Sequence, residues 1–307
     1  AALTLVAALA LPAQASAGTC TPKTNLEAIV DDSSSMALSD PADLRIRAME
    51  LLMDTQGNER RTLGAVEFGT GAAALFGPGV IRDNAPAFKS ALTAALTENG
   101  GGTDYNDAFA VAAAHNPSAT ARIFLTDGEH TDHVAYANGH SGGPPVYAIG
   151  LGALAGSPYS ALLSRIARET GGLYRRVADA GGLQAAMFDM NSAIVCQAPP
   201  KRFTDAFTRL RQSEPHSVAV ARGTRTAQFA LTWANPLDRF TIAGVRMEGR
   251  TRKRKLELSR RRGDTFTTVR VRRLVPGRLR FVVKPTRLAT RGAEVSLTTQ
   301  VARSRAR

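Results

Sequence analysis

At Ala198-Pro199-Pro200 the hydrophobic pattern of this chain changes period, and no single fold serves both sides of the change. Upstream, short apolar runs alternate with amphipathic stretches at helical spacing; downstream, apolar and polar residues alternate one by one. Strands separated by helices call for a mostly parallel sheet covered on both faces, whereas period-two strands call for antiparallel sheets packed face to face. The expected fold class is therefore α/β, a doubly wound mostly parallel sheet, followed by a C-terminal all-β sandwich-like domain. The 307 residues suffice for two such cores, with 20–197 as the first domain, 198–202 as a linker and 203–307 as the second.

Charge divides at the same place. Residues 1–199 hold 12 Lys and Arg against 19 Asp and Glu, a net of −7, and residues 200–307 hold 27 against 7, a net of +20. The whole-chain value of +13 therefore describes neither half. No apolar run reaches the ~18 residues of a transmembrane helix. Residues 1–17 read as an export signal: an apolar run over 1–11, a break at Pro12, and small-x-small cleavage patterns at Ala13-Gln14-Ala15 and Ala15-Ser16-Ala17. The charged leader and initial Met of such a signal are absent, so the expected start is truncated. The product is expected to be exported, secreted or held at the cell surface. In an oxidising compartment the two cysteines, Cys20 and Cys196, are expected to pair. The alternative, lipidation of Cys20, is disfavoured by Thr19, where a small Gly, Ala or Ser is normal.

In the acidic half the pattern predicts strands at 26–30, 63–68, 73–76, 121–125, 146–151 and 173–177. Helices are predicted over 42–53, 85–96, 104–114, 160–170 and 183–195. Ligands of such sheets bind at the carboxyl ends of the strands. Three places at that edge are chemically marked. The first strand runs into Asp31-Asp32-Ser33-Ser34-Ser35-Met36, the helix after Gly100-Gly101-Gly102 opens on Thr103-Asp104, and the fourth strand runs into Thr126-Asp127-Gly128. Asp31, Ser33, Ser35, Thr103 and Asp127 then supply carboxylates and hydroxyls, a hard oxygen set suited to Mg2+ or Mn2+ rather than zinc. Asp31, Ser33 and Ser35 point the same way only if their loop is extended.

D-x-S-x-S-M, G-G-T-D and L-T-D-G, in that order on those elements, resemble the metal-ion-dependent adhesion site of the von Willebrand factor type A family. The resemblance covers about residues 24–196, and bracketing cysteines also occur in extracellular members. It implies that Ser33, Ser35 and Thr103 bind the cation directly and that Asp31 and Asp127 act through water. It also implies that a carboxylate from a protein partner completes the shell. Ser34 departs from the pattern, since glycine is frequent there. The function so implied is cation-bridged, non-catalytic binding of a protein ligand that offers an acidic side chain.

Signals for catalysis are weaker. Gly139-His140-Ser141-Gly142-Gly143 fits a hydrolase nucleophile pattern, but Pro144-Pro145 and a strand follow where a helix is required. A serine or metal-dependent hydrolase is thus a distant alternative. His130, His133 and His140, with Glu129 and Asp132, are dense enough to hold zinc but lack the register of a helical zinc motif. They read as solvated loop residues, and the tripeptide Arg262-Gly263-Asp264 reads as chance.

In the basic half about seven strands are expected, among them 266–273 and 278–284, with Val275-Pro276-Gly277 turning one back on the other. Arg270, Arg272, Arg278 and Arg280 would then crowd one exposed face as candidate anion-binding residues. Guanidinium groups bind phosphate, sulfate or carboxylate through paired hydrogen bonds. An exported protein meets anionic surface polymers before chromosomal DNA, so nucleic acid is not the expected partner. The alternative function is therefore polyanion or cell-surface binding through this half. Two further readings of the charge are an ordinary solvated face and docking of the basic half onto the acidic one.

Overall fold

The computed structural model describes residues 20–41, 43–55, 58–97, 100–128, 130, 143–152, 158–178, 180–197, 200–248, 256–263 and 265–303. The expected export segment lies outside them. Both domain types are present.

The first domain is a six-stranded sheet of β1 (Asn25–Asp31), β2 (Thr62–Phe68), β3 (Ala72–Val80), β4 (Ala121–Thr126), β5 (Val146–Leu151) and β6 (Leu173–Val177), in the order β3-β2-β1-β4-β5-β6. All neighbours are parallel except β3, which runs antiparallel to β2 at the edge. β1 lies in the middle and is buried on both faces, which is why it reads as a continuous apolar run interrupted only by Glu27. Leu26, Ala28 and Val30 face a core built with α2 (Leu44–Asp54), α3 (Ile81–Ala95) and α6 (Ala180–Ile194). Ile29 faces the opposite core, built with α4 (Tyr105–His115) and α5 (Pro158–Glu169). A four-residue helix, α1 (Met36–Ser39), follows β1. Cys20 and Cys196 are disulfide-bonded with their Cα atoms 5.7 Å apart, tying the chain entering β1 to the chain leaving α6.

Among its described residues the second domain has eight strands in two antiparallel sheets that enclose one core. The three-stranded sheet is β10 (Arg239–Met247), β13 (Gly277–Arg287) and β8 (Glu214–Val220). The five-stranded sheet, in spatial order, is β11 (Glu257–Arg262), β12 (Phe266–Arg272), β9 (Thr224–Trp233), β14 (Ala293–Arg303) and β7 (Lys201–Phe207). The strand β7 goes beyond the expected seven and takes up residues assigned to the linker. Its alternation is broken by Asp205, a charged residue at an inward position, held there by His216 Nε2 at 2.7 Å.

The expected hairpin between 266–273 and 278–284 does not form: β12 and β13 belong to different sheets. Leu274 and Val275 are both buried, so the connection dives along the edge of the sandwich instead of closing a surface turn. Arg273 reverses the chain there with φ of 62°. Arg270 and Arg272 therefore sit on one sheet, and Arg278 and Arg280 on the other.

The middle of the outer face of the five-stranded sheet is not solvated, although its edge strands β11 and β7 are exposed there. Gln228, Thr268, Thr298 and Gln300 are buried although they alternate with the core residues. They share the face that meets the α/β domain, where Gln300 Nε2 donates to Ser192 Oγ of α6 at 2.7 Å. Arg202–Asp189 (2.6 Å), Arg261–Asp54 (2.7 Å) and Arg270–Glu59 (3.5 Å) pair the basic half with the acidic one. Of the readings of the charge asymmetry, docking of one half on the other is what the fold contains.

Candidate metal centre

The sheet register places the marked loops side by side. Asp31 pairs with Phe68, and Val30 lies opposite Leu125, so β1 delivers Asp31 beside the end of β4. There Thr126 donates its hydroxyl to Asp31 Oδ2 at 2.6 Å, while Asp31 Oδ1 accepts the Ser33 N–H at 2.9 Å. That second bond turns the chain, and Met36 N–H closes on Ser33 O at 3.1 Å. The loop is thus curled, not extended, with Ser35 already at helical φ −65° and ψ −25°. The curl brings Ser33 Oγ and Ser35 Oγ to 3.1 Å from each other.

The second segment is laced directly onto the first. Gly100 N–H donates to Asp32 O at 3.0 Å, and Gly101 O accepts both the N–H (3.0 Å) and the hydroxyl (2.9 Å) of Ser34. Serine at this position thus adds a bond that glycine lacks. The approach demands glycine nearby: a Cβ on Gly69 would lie 2.2 Å from Gly100 O, and Gly101 has φ of +74°. Thr103 follows, buried, and Asp104 caps α4 by accepting the N–H groups of Asn106 (2.8 Å) and Asp107 (3.1 Å). Asp127 is fully buried beside Asp31. All three predicted segments meet at one edge of the sheet.

Electrostatically the place is strained toward accepting a cation. Burial pushes the Asp31 carboxyl up to about 7, against the hydrogen bonds from Ser33 and Thr126, and the charge of Asp127 adds to the rise. The same two carboxylates help hold the buried Tyr105 phenol well above its ordinary value, behind burial as the main cause. The donor set fits a small hard ion. Two oxygens on adjacent corners of an octahedron with ~2.1 Å bonds lie about 3 Å apart, the spacing found between Ser33 and Ser35. Among the described residues no three His, Cys, Asp or Glu side chains cluster in a way that could hold a metal ion.

Several supporting residues escaped the motif reading. Thr126 couples the site to the core, contacting Tyr105 Oη at 3.1 Å and accepting the Gly128 N–H at 3.0 Å. Arg45 is fully buried between Asp32 (3.6 Å) and Asp40 (3.3 Å), and Asp40 also accepts the N–H groups of Leu44 and Arg45 at the start of α2. Of two adjacent aspartates, Asp31 therefore serves the site and Asp32 anchors its loop. Their signal in the sequence was only a charged residue, Arg45, on the apolar stripe of α2.

His130 is buried with its ring 5.2 Å from that of Tyr105, while Glu129, Asp132, His133, His140 and Ser141 lie outside the described residues. Arg278 and Arg280 both reach Glu248.

A doubly wound sheet that gathers hydroxyls and two buried carboxylates at its carboxyl edge is the class this half belongs to. Residues 28–129 match the family model described as von Willebrand factor type A domain, and the α/β half is a domain of that family. Solved structures similar to the chain include an aerotolerance-related membrane protein from Bacteroides fragilis, at 21% identity over 56% of this chain and 98% of that one, with a TM-score of 0.45. A von Willebrand factor type A protein from Catenulispora acidiphila is 16% identical over 91% of this chain and 64% of that one, TM-score 0.46. The pilus adhesin SpaC of Lactobacillus rhamnosus GG is 12% identical over 92% of this chain and 44% of its own, TM-score 0.45. No curated protein matches the sequence. Among the described residues no helix is long and apolar enough to cross a membrane.

Proposed function

We propose that this is an exported, non-enzymatic binding protein that captures a protein ligand through a divalent cation, Mg2+ or Mn2+, at the carboxyl edge of the α/β sheet. Ser33, Ser35 and Thr103 would hold the ion directly, and Asp31 and Asp127 would hold its water by hydrogen bonds. When bound, the ion supplies an electrophilic position for an acidic side chain of the partner. The residues of this chain do the rest. Thr126 and the Ser33 N–H orient the Asp31 carboxylate, and Arg45 clamps the loop from below. Nothing in this arrangement requires a bond to be made or broken. The observation that carries the reading is the pair of hydroxyls 3.1 Å apart beside a buried carboxylate pushed up to about 7.

The test is calorimetric titration of MgCl2 and MnCl2 into the protein, with Thr103→Ala and Asp127→Ala alongside. One ion bound by the wild type and lost in both variants is the expected result. Equal binding by all three would refute the assignment.

A further inference from the structure

The seam between the two domains holds a second concentration of charge, at the edge of the α/β sheet opposite the metal centre. β1 runs from one edge to the other in seven residues, so about 20 Å separates the two places. A cleft of about 390 Å³ is lined there by Glu59, Arg60 and Arg82 from the α/β domain and by Arg270 and Arg272 from β12. A second cleft of about 450 Å³ shares Arg272 and continues past Arg225, Arg273 and Glu257.

The carboxylates do not balance this charge. Glu59 takes Arg270 at 3.5 Å, and Glu257 takes Arg273 at 2.6 Å. Arg82 lies 3.4 Å from Asp83 in an exposed pair, where solvent screening leaves little attraction. Arg60 and Arg272 have no ion pair among the described residues, and they face the same cleft from different domains. Burial, with the neighbouring charge of Arg272, pulls the Arg270 guanidinium below its ordinary range. Arg61, which follows Arg60 in the chain, is buried and pulled down to about 10 by desolvation. Like charges held together on two domains that otherwise attract are a standing repulsion across the seam, and a bound anion removes it.

We propose that this seam is an oxyanion site for a phosphate-bearing chain. One phosphate lies between Arg60, Arg82 and Arg272, and the chain extends along the second cleft past Arg225. Guanidinium groups converging from three elements suit a tetrahedral, multiply charged group better than a planar carboxylate, because each fork can take a different pair of oxygens. Two clefts joined at Arg272 suit phosphates in series rather than a single ion. The site owes nothing to the cation-bridged reading.

The probe is inorganic tripolyphosphate, titrated into the full chain in the presence of EDTA so that the metal centre is silent. Expected is one molecule bound, more weakly as salt is raised from 50 to 300 mM, as about a Debye length of screening requires. Arg60→Ala/Arg272→Ala should weaken binding by roughly tenfold or more, and Arg272→Lys by less, since it keeps the charge and loses the fork. Arg278→Ala/Arg280→Ala, on the other sheet, should bind as the wild type does. Thermal midpoints of all variants separate lost binding from lost folding. No binding by the folded wild type, or equal loss in the Arg278/Arg280 variant, overturns the proposal. Binding of dextran sulfate but not tripolyphosphate overturns it too, in favour of a sulfated ligand.

Discussion

Asp31→Asn should make the metal-free protein more stable at alkaline pH, although it removes a residue central to the site. Burial of the whole carboxyl pushes it up to about 7 from its ordinary value of 3.8. A group whose pKa is raised on folding favours the fold fully below the unfolded value, and that favour is lost as pH rises through the folded value. The window is therefore between about pH 4 and pH 7. A rise of about three units, at 1.36 kcal/mol each, destabilises the apo fold above pH 7 by about 4 kcal/mol. Between pH 5 and pH 8 roughly 2–3 kcal/mol of this is traversed.

Asparagine fits the same space. Its oxygen can still accept the Ser33 N–H, and its amide can donate to Thr126 Oγ1, whose own proton then turns to Tyr105. The assay is urea unfolding in EDTA at pH 5 and pH 8, for wild type and variant. Other raised carboxyls, Glu27, Asp40 and Glu67, cancel in the comparison. With a urea slope of about 2 kcal/mol/M, the wild-type midpoint should fall by about 1 M more than that of the variant. Millimolar Mg2+ should restore the wild type at pH 8 and leave the variant unmoved. Parallel profiles in EDTA would refute the reasoning, because they would mean that Asp31 is not held at the energetic disadvantage its burial implies.

Gly69→Ala should push the 69–71 loop off Gly100, since the new Cβ would stand 2.2 Å from a backbone oxygen. A loss of about 1–3 kcal/mol in thermal or urea stability is expected, with weaker Mn2+ binding by calorimetry. Replacing both Cys20 and Cys196 by Ser opens a loop of 176 residues, and the chain-entropy estimate puts the loss at up to about 5 kcal/mol. Differential scanning calorimetry of that variant, and of the wild type under reductant, should show the same drop.

The candidate donors were legible because each belongs to a short motif, two at strand ends and one at the start of α4, and these places converge by topology at the carboxyl edge of a doubly wound sheet. The residues that hold them were not. Thr126 is one hydroxyl beside an aspartate, and Arg45 looks like an interruption of a helix stripe until Asp32 and Asp40 are seen on either side of it. In the basic half, period two identified which residues share a face but not what covers that face. Gln228, Thr268 and Gln300 are polar positions of that period and yet are buried, with Gln300 bonded to Ser192 of α6. The expected Arg270–Arg280 hairpin was wrong for a related reason. Val275-Pro276-Gly277 has turn chemistry, but two buried apolar neighbours decided where the chain went. Charge asymmetry was legible as attraction between halves, while the particular pairs depended on which loop of the acidic half met β11 and β12.

The disulfide also decides how a pull would travel. The chain entering β1 and the chain leaving α6 toward the sandwich are joined by one covalent bridge, so tension between those two points bypasses the six strands and the helices around them. The α/β fold would feel force only when it arrives at the opposite edge, through whatever is held there. A ligand tugging at the loops of Asp31 and Thr103 would thus load the sheet against a base fixed by the disulfide.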